Sequence, residues 1–255
     1  MKKLLLILLM AGLIAGLLVG CNGVTPPPTE GEGEGEGEGE PETVARVVMV
    51  EAFTQSGCAY CAIVEPILEQ LAAEYDRSEI VLVEERAYGK YSLNEIRDRY
   101  SWYLPSSGDR GTPNILFNGL NYKIHGSSTY VTIKGKINLE LGKDAKIKIT
   151  ATRNSSSATT TISGIITNIS SSTLDNLVIN GMTYKNRGGT GLKYAVTDIF
   201  AEQQEEVSTL APGGTHNFSF TLENIDWDGN YIEGVIFVQD TDSSTKEILQ
   251  AKYIE

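Results

Sequence analysis

The stretch CAYCAIVEPILEQLA, residues 58–72, decides the fold of this chain. A mostly apolar run at residues 47–53 and a polar turn at residues 54–57 precede it, which predicts that a strand ends just before the first cysteine. After the second cysteine, apolar residues recur at the spacing of a helix with one buried face. These residues are Val64, Ile67, Leu68, Leu71 and Tyr75. The pattern therefore places Cys58 and Cys61 between a strand end and a helix start.

A cysteine pair in that position is suited to redox chemistry. The first N–H groups of a helix have no partner within the helix, and the helix dipole adds partial positive charge there, so a thiolate is favoured. A structural disulfide is one alternative, although a loop this short restricts the unfolded chain little. A zinc half-site is the other, but zinc needs two further ligands, and His125 and His216 are isolated in the sequence. We therefore predict no metal.

Two motifs resemble the thioredoxin superfamily. Residues 58–72 resemble the active-site helix of thioredoxin, including Pro66 five residues after the second cysteine. Residues 111–119, GTPNILFNG, resemble the segment that carries the cis-proline of that family and the strand after it. The motifs lie in the order found in the family, and the resemblance covers roughly residues 43–141. It implies an α/β thioredoxin-like domain at residues 44–141, with a cis peptide bond before Pro113.

The resemblance also implies roles for individual residues. Cys58 would be the exposed nucleophile, and Cys61 the more buried thiol that resolves a mixed disulfide. Pro113 would lie against the pair, and the backbone of Thr112 would bind an extended substrate. Glu51 matches the buried acid behind the disulfide of thioredoxin and would shuttle a proton for Cys61; a surface position is the alternative. The residues before and between the cysteines differ from those of thioredoxin, so the direction of exchange stays open.

The rest of this domain alternates between strand and helix signals. Residues 80–83 form an apolar run typical of a buried strand, and residues 92–95, SLNE, have the spacing of a capping box that opens a helix. Residues 121–125 predict the returning strand of a hairpin. The apolar pattern of residues 127–141 fits either a helix or a strand, and Gly135 weakens a helix. We expect the helix there, because thioredoxin folds end in one.

From residue 144 onward the composition changes to Ser, Thr, Asn and Gly with short alternating runs, which predict strands. Seven strands are expected, at residues 146–150, 159–166, 177–179, 194–200, 216–222, 231–239 and 247–253. Their number and spacing are typical of an immunoglobulin-like sandwich. The predicted fold class is therefore an α/β thioredoxin-like domain followed by an all-β immunoglobulin-like sandwich at residues 142–255. This order of domains resembles a family of bacterial outer-membrane lipoproteins described mainly as surface antigens.

The N-terminus is typical of an export signal. Lys2 and Lys3 precede an apolar run at residues 4–19, which is slightly short for a spanning helix of roughly 20 residues. An uncleaved membrane anchor is the alternative. The sequence LVGC, residues 18–21, resembles the lipobox of bacterial lipoproteins. This resemblance implies a signal peptide at residues 1–20, a lipid on Cys21, and a location in the cell envelope that faces the periplasm or the cell exterior.

The segment after Cys21 is typical of a linker. Residues 21–43 contain three consecutive prolines and then alternating Gly and Glu, with nothing to bury. The proline run favours an extended chain, and the like charges resist collapse. Fully extended, about 21 residues span at most about 70 Å. We expect a stalk that separates a folded body from a membrane.

Composition limits the function. The chain has 255 residues, 21 Lys and Arg, and 33 Asp and Glu. Without the seven glutamates of residues 30–42 and without the two N-terminal lysines, 26 acids and 19 bases remain, so the basic surface that nucleic-acid binding needs is missing. We expect a membrane-anchored thiol–disulfide oxidoreductase that acts on exported proteins with a redox partner protein and no cofactor. The alternative is a non-catalytic surface binding or structural lipoprotein with a passive disulfide.

Overall fold

β-Strands dominate the structure. The computed structural model describes residues 44–156 and 158–254, and the predicted signal peptide, Cys21 and the linker lie outside these residues. The strands are β1 (Val48–Gln55), β2 (Ile80–Tyr88), β3 (Asn114–Phe117), β4 (Tyr122–His125), β5 (Ile147–Ser155), β6 (Thr159–Asn168), β7 (Leu174–Lys185), β8 (Ala195–Ile199), β9 (Glu205–Leu210), β10 (Thr215–Glu223), β11 (Glu233–Asp240) and β12 (Ile248–Ile254). The α-helices of this part of the chain are α1 (Cys61–Glu74), α2 (Asn94–Tyr103) and α3 (Tyr130–Leu141).

The described strands form two sheets. The large sheet has the order β12-β11-β7-β8-β2-β1-β3-β4, and β9 pairs with β7 beside this path. The small sheet has the order β10-β6-β5. In the large sheet β1 runs parallel to β2 and antiparallel to β3, whereas β7 is antiparallel to both β8 and β11. The large sheet is therefore mixed, and it draws strands from both halves of the sequence.

The predicted fold class is wrong, and so is the resemblance to the thioredoxin superfamily as a description of the fold. The sequence predicted an α/β domain followed by a separate sandwich, but one large sheet continues across residue 142. The junction is the parallel pairing of β2 with β8, where Glu84 faces Ala195 and the Glu84 N–H donates to the Tyr194 carbonyl at 2.8 Å. Periodicity shows which face of a strand is buried but not its partner, and these partners lie far apart in sequence. The boundary at residues 141/142 falls in the turn before β5 and stays a prediction.

Helices cover both faces of the β1–β2 part of the large sheet. Residues of β1 alternate between the two sides: Val50 and Ala52 pack in a core with α1 and α3, while Met49 and Phe53 pack in a core with α2. A further apolar core lies between the small sheet and the facing strands of the large one. Because every residue of β1 up to Thr54 is buried, this strand is fixed from both sides as it approaches the cysteines.

Several local predictions hold. Residues 130–141 form a helix, as expected, and the Thr129 side chain caps it by accepting the Thr132 N–H. Pro66 lies inside α1. The capping box is wrong: α2 begins at Asn94, no side chain caps it, and the Ser92 hydroxyl instead accepts a hydrogen bond from Arg97 at 3.2 Å.

Candidate functional site

The cysteine pair lies between β1 and α1, as predicted. β1 ends at Gln55, and Gly57 adopts a positive φ of 78° that turns the chain towards α1. Cys58 is half-buried, whereas Cys61, the first residue of α1, is 1% exposed. The two are unbonded thiols, and the Cys61 backbone N–H donates to the Cys58 sulfur at 3.1 Å. One sulfur is thus accessible and held by the helix start, and the other is enclosed.

The two thiols differ in acidity. Burial by itself would raise the pKa of Cys58, but hydrogen bonds from the Cys61 side chain and backbone outweigh it, so the pKa of Cys58 lies below its ordinary value. Burial, together with the hydrogen bond to Cys58, raises the pKa of Cys61 to about 12. Cys58 is therefore the more acidic of the two thiols, and Cys61 keeps its proton near neutral pH.

The segment at Thr112 and Pro113 faces the pair. The peptide bond between these residues is cis, as the resemblance implied. The Cys58 thiol donates to the Thr112 carbonyl at 3.4 Å, and the Thr112 side chain is one of the contacts that lower the pKa of Cys58. The structure therefore brings together four of the predicted site residues: Cys58, Cys61, Thr112 and Pro113.

One buried amide fixes this segment. Asn114, the first residue of β3, is fully buried and donates to the carbonyls of Asp109 and Gly111, each at 2.9 Å. It also donates to the Tyr100 hydroxyl, which in turn donates to the Gly111 carbonyl at 2.8 Å. The oxygen of the same side-chain amide, Asn114 Oδ1, lies 3.1 Å from His125 Nδ1. The sequence patterns did not predict this role of Asn114; the signal for it was a polar residue at the start of the otherwise apolar run NILF.

Glu51 is buried, but it does not contact the cysteines. Its carboxylate accepts hydrogen bonds from Arg99 at 2.6 Å and from the Tyr103 hydroxyl at 2.8 Å, both on α2. The surface alternative for Glu51 is therefore wrong, since the residue is 0% exposed. Its role as a proton shuttle for Cys61 stays a prediction, and the contacts of its carboxylate place it on the α2 side of the sheet, away from α1.

A second buried acid lies beside Glu51. Glu85 in β2 is fully buried, and burial together with the neighbouring Glu51 raises the pKa of its carboxyl well above the ordinary value. Its protonated form is therefore favoured. Arg99 donates to Glu51 and lowers the pKa of the nearby Glu85, which partly opposes the effect of burial on this apolar side of the sheet.

A loop from the second half of the chain packs against α1 on the opposite side of the sheet. The N–H of Gly191 donates to Glu69 at 2.7 Å, and its carbonyl accepts from Arg86 at 2.6 Å. Arg86 also forms an ion pair with Glu65 at 2.9 Å. Burial raises the pKa of the adjacent Glu84 to about 7. The helix that begins at Cys61 is thereby fixed by buried charges at its middle.

Other expectations concern metals and membranes. Among residues 44–156 and 158–254, no group of three or more His, Cys, Asp or Glu is arranged to hold a metal ion. No helix in that same part of the chain has the length and apolar character needed to span a bilayer. The predicted lipidation of Cys21 falls outside the described residues.

The comparisons with known proteins concern the fold. No family model and no curated protein matches the sequence, so no match to a thioredoxin family supports the resemblance. The structure is similar to HBP35 of Porphyromonas gingivalis, with 16% identity, a TM-score of 0.62, and coverage of 83% of this chain and 75% of that one. It is also similar to protein AGR_C_4864 from Agrobacterium tumefaciens, with 15% identity, a TM-score of 0.57, and coverage of 82% and 94%.

The similar structures include a lipoprotein domain. A domain of the outer membrane lipoprotein Omp28 from Porphyromonas gingivalis matches with 12% identity and a TM-score of 0.31, over 44% of this chain and 88% of that domain. At these identities, the likeness to HBP35 and AGR_C_4864 shows a shared fold and nothing about activity. This chain is therefore placed by architecture, as a protein built on the same mixed-sheet fold as those two.

Proposed function

We propose that this protein exchanges thiols and disulfides with exported proteins through Cys58 and Cys61. The observation that carries the proposal is the difference between the two thiols. Cys58 is accessible, receives the Cys61 N–H and has a lowered pKa, whereas Cys61 is enclosed and has a pKa of about 12. An attacking thiolate beside a buried resolving thiol is the arrangement that exchange requires.

The reaction has two balanced steps. First, the Cys58 thiolate attacks one sulfur of a client disulfide, the client S–S bond breaks, and the departing client thiolate takes up a proton. Second, Cys61 loses its proton and attacks the Cys58 sulfur, which breaks the mixed disulfide and releases the second client thiolate. The client disulfide is then reduced and the Cys58–Cys61 pair oxidised. The same steps in reverse oxidise a client dithiol.

Thr112 has a role in client binding under this proposal. In the dithiol form its carbonyl accepts the Cys58 S–H. Once Cys58 ionises, no proton remains on the sulfur to occupy that carbonyl. The carbonyl then accepts a backbone N–H from an extended client, which places the client's cysteine next to the attacking sulfur.

The proposal includes a membrane anchor. The LVGC sequence at residues 18–21 supports a lipid on Cys21, and the signal that precedes it supports export. With Cys21 modified, Cys58 and Cys61 are the remaining thiols of the chain. The site would then act in the cell envelope, where an oxidising environment makes disulfide exchange useful.

The test is the reduction potential of the pair in the mature chain, measured by equilibration with glutathione. We expect a value between roughly −270 and −120 mV, the range of known exchange catalysts. The Cys61→Ser variant should accumulate mixed disulfides with a model client, and the Cys58→Ser variant should not. A potential below about −300 mV with slow exchange would refute the proposal and favour a passive disulfide in a binding lipoprotein.

A further inference from the structure

Helix α3 has a second apolar face that points away from the core. Its buried face carries Ile133 and Ile137. On the opposite side, Val131 is 76% exposed and Leu139 is 53% exposed. Gly135 lies between them at four-residue spacing, and a Cβ built there would meet nothing within 4 Å. The residues Val131, Gly135 and Leu139 thus form an open apolar stripe, which we call the α3 stripe.

Lysines flank the α3 stripe on both sides. At about 100° per residue, Lys134 lies on one side of the stripe and Lys136 on the other. Lys143, two residues beyond the end of α3, lies 5.4 Å from the centre of the same Tyr122 ring that Lys136 contacts. Lys134 pairs with Glu74 at 3.2 Å, and Lys143 pairs with the buried Glu140. Lys136 lies 4.5 Å from the centre of the Tyr122 ring, and no carboxylate of the described residues forms an ion pair with it. An apolar stripe bordered by cations suits a surface that is apolar inside and anionic at its boundary.

The chain leaves the folded part beside this helix. Val44, the first described residue, lines the same cleft of about 1040 Å³ as Leu141 and Lys143 at the end of α3. Two residues further on, Arg46 donates to Glu140 of α3 at 3.0 Å. The segment that leads back to Cys21 therefore starts near the C-terminal end of α3.

We propose that the α3 stripe and its flanking lysines dock on the anionic phospholipid surface to which Cys21 anchors the chain. The proposal rests on the membrane anchor in the proposed function and is independent of the cysteine chemistry. Two apolar side chains and three lysines bind a bilayer weakly on their own. A tether of 22 residues that begins at the same end of the fold raises the local concentration of the surface and makes weak docking effective.

Docking at α3 also sets the position of the cysteines. The last turn of α1 contacts α3, since Tyr75 donates to Asn138 at 2.5 Å and Tyr130 donates to Glu74. Cys61 is at the other end of α1, a helix of 14 residues that is about 20 Å long. A membrane-bound α3 would therefore hold the cysteine pair about 20 Å along α1 from that contact, where exported clients have access.

The experiment places new tryptophans on the lipidated mature chain. Leu139→Trp is made on the α3 stripe, and Tyr231→Trp is the matched control at a residue 86% exposed in the turn before β11. Both chains are inserted into vesicles of phosphatidylcholine with phosphatidylglycerol whose acyl chains are brominated, and the fluorescence of the wild-type chain is subtracted. We expect about twofold quenching for Leu139→Trp, as for an indole 5–10 Å below the headgroups, and none for Tyr231→Trp.

Charge is tested in the same way. Adding Lys136→Glu and Lys143→Glu to Leu139→Trp should remove most of the quenching, as should vesicles without phosphatidylglycerol. Absent quenching at residue 139, equal quenching at residue 231, or a crosslinked dimer through α3 would overturn the docking. Mass spectrometry that shows an unmodified Cys21 would overturn the anchor and the docking together, while the glutathione potential still reports on the cysteines.

Discussion

The amide of Asn114 offers the sharpest test of how the site is built. In Asn114→Ala, the carbonyls of Asp109 and Gly111 and the Tyr100 hydroxyl each lose a hydrogen-bond donor. A net hydrogen bond contributes about 1 kcal/mol, and a buried polar atom left without a partner costs about 1–3 kcal/mol. We therefore expect the free energy of unfolding to fall by about 2–4 kcal/mol. Urea unfolding followed by circular dichroism measures this loss.

The variant should also change the chemistry at Cys58. Asn114 fixes the segment that carries Thr112, and the Thr112 side chain is one of the contacts that lower the pKa of Cys58. Releasing the segment weakens that contact, so the pKa of Cys58 should rise and less thiolate should exist at neutral pH. The readout is the rate of alkylation by iodoacetamide as a function of pH. We expect its midpoint to move upward and the rate at pH 7 to fall.

A matched control separates positioning from stability. Asn168 is also fully buried, and its side-chain amide donates to the carbonyls of Ser172 and Leu210, each at 2.8 Å, in the second half of the chain. Asn168→Ala should lose a similar free energy of unfolding but leave the alkylation midpoint of Cys58 unchanged. If both variants shift the midpoint equally, or if Asn114→Ala does not shift it, the positioning role of Asn114 is refuted.

Three further predictions concern charge and backbone. Burial raises the pKa of Glu84 to about 7, so the folded state binds the proton of this carboxyl more tightly than the unfolded state does. Glu84 therefore favours folding at low pH, and the free energy of unfolding falls by up to roughly 3 kcal/mol as pH rises from 4.5 to 7. In urea unfolding, Glu84→Gln should be more stable than wild type at pH 7.5 but not at pH 4.5. Gly191→Ala would place a Cβ 2.1 Å from the carboxyl carbon of Glu65 in α1, so it should lower the free energy of unfolding by more than about 2 kcal/mol in the same measurement. Gly188 has a similar φ and open space around it, so the control Gly188→Ala should lower it by only about 1 kcal/mol. In Cys58→Ser the pKa of Cys61 should fall below about 12, followed by thiolate absorbance, because the hydrogen bond to Cys58 is altered and its negative charge is gone.

Local patterns predicted the cysteine site because its parts are close in sequence. The strand end, the turn and the helix start lie within residues 47–75, and their spacing is enough to place Cys58 and Cys61. The cis bond at Pro113 followed from the resemblance of residues 111–119 to the cis-proline segment of the thioredoxin superfamily. Asn114 did not, since its partners lie on α2, on β4 and in the turn between α2 and β3.

Buried charges explain why β2 was predicted too short. The sequence VLVEERAY suggests that a strand ends where the charges begin, but residues 84–87 are buried and β2 continues to Tyr88. Consecutive side chains of a strand point to opposite faces of the sheet, so Glu84 and Glu85 lie on different sides of it. Glu84 accepts the Tyr194 N–H on one side, and Glu85 lies beside Glu51 on the other. Partners from α2 and from the loop before β8 make this burial possible, and one strand's sequence does not contain them.

Strand β9 was not predicted, because its own sequence does not show the pattern of a strand. Its sequence EEVSTL, residues 205–210, contains only two buried residues, Val207 and Leu210. They are three apart, so they do not alternate as strand residues usually do. The segment becomes a strand because it pairs along β7, from Leu174 opposite Leu210 to Ile179 opposite Glu205. Pairing with an existing sheet edge, rather than its own pattern, determines this element.

The contact between the cysteines gives the proposed exchange its order. In the dithiol form, burial and the hydrogen bond to Cys58 raise the pKa of Cys61, and the same contact helps to lower the pKa of Cys58. Cys58 therefore attacks first, and Cys61 stays protonated while its neighbour is charged. Once Cys58 forms a mixed disulfide, its sulfur carries no charge, so the contribution that opposed ionisation of Cys61 disappears. The resolving thiol thus becomes easier to ionise at the step in which it must attack, while burial continues to raise its pKa.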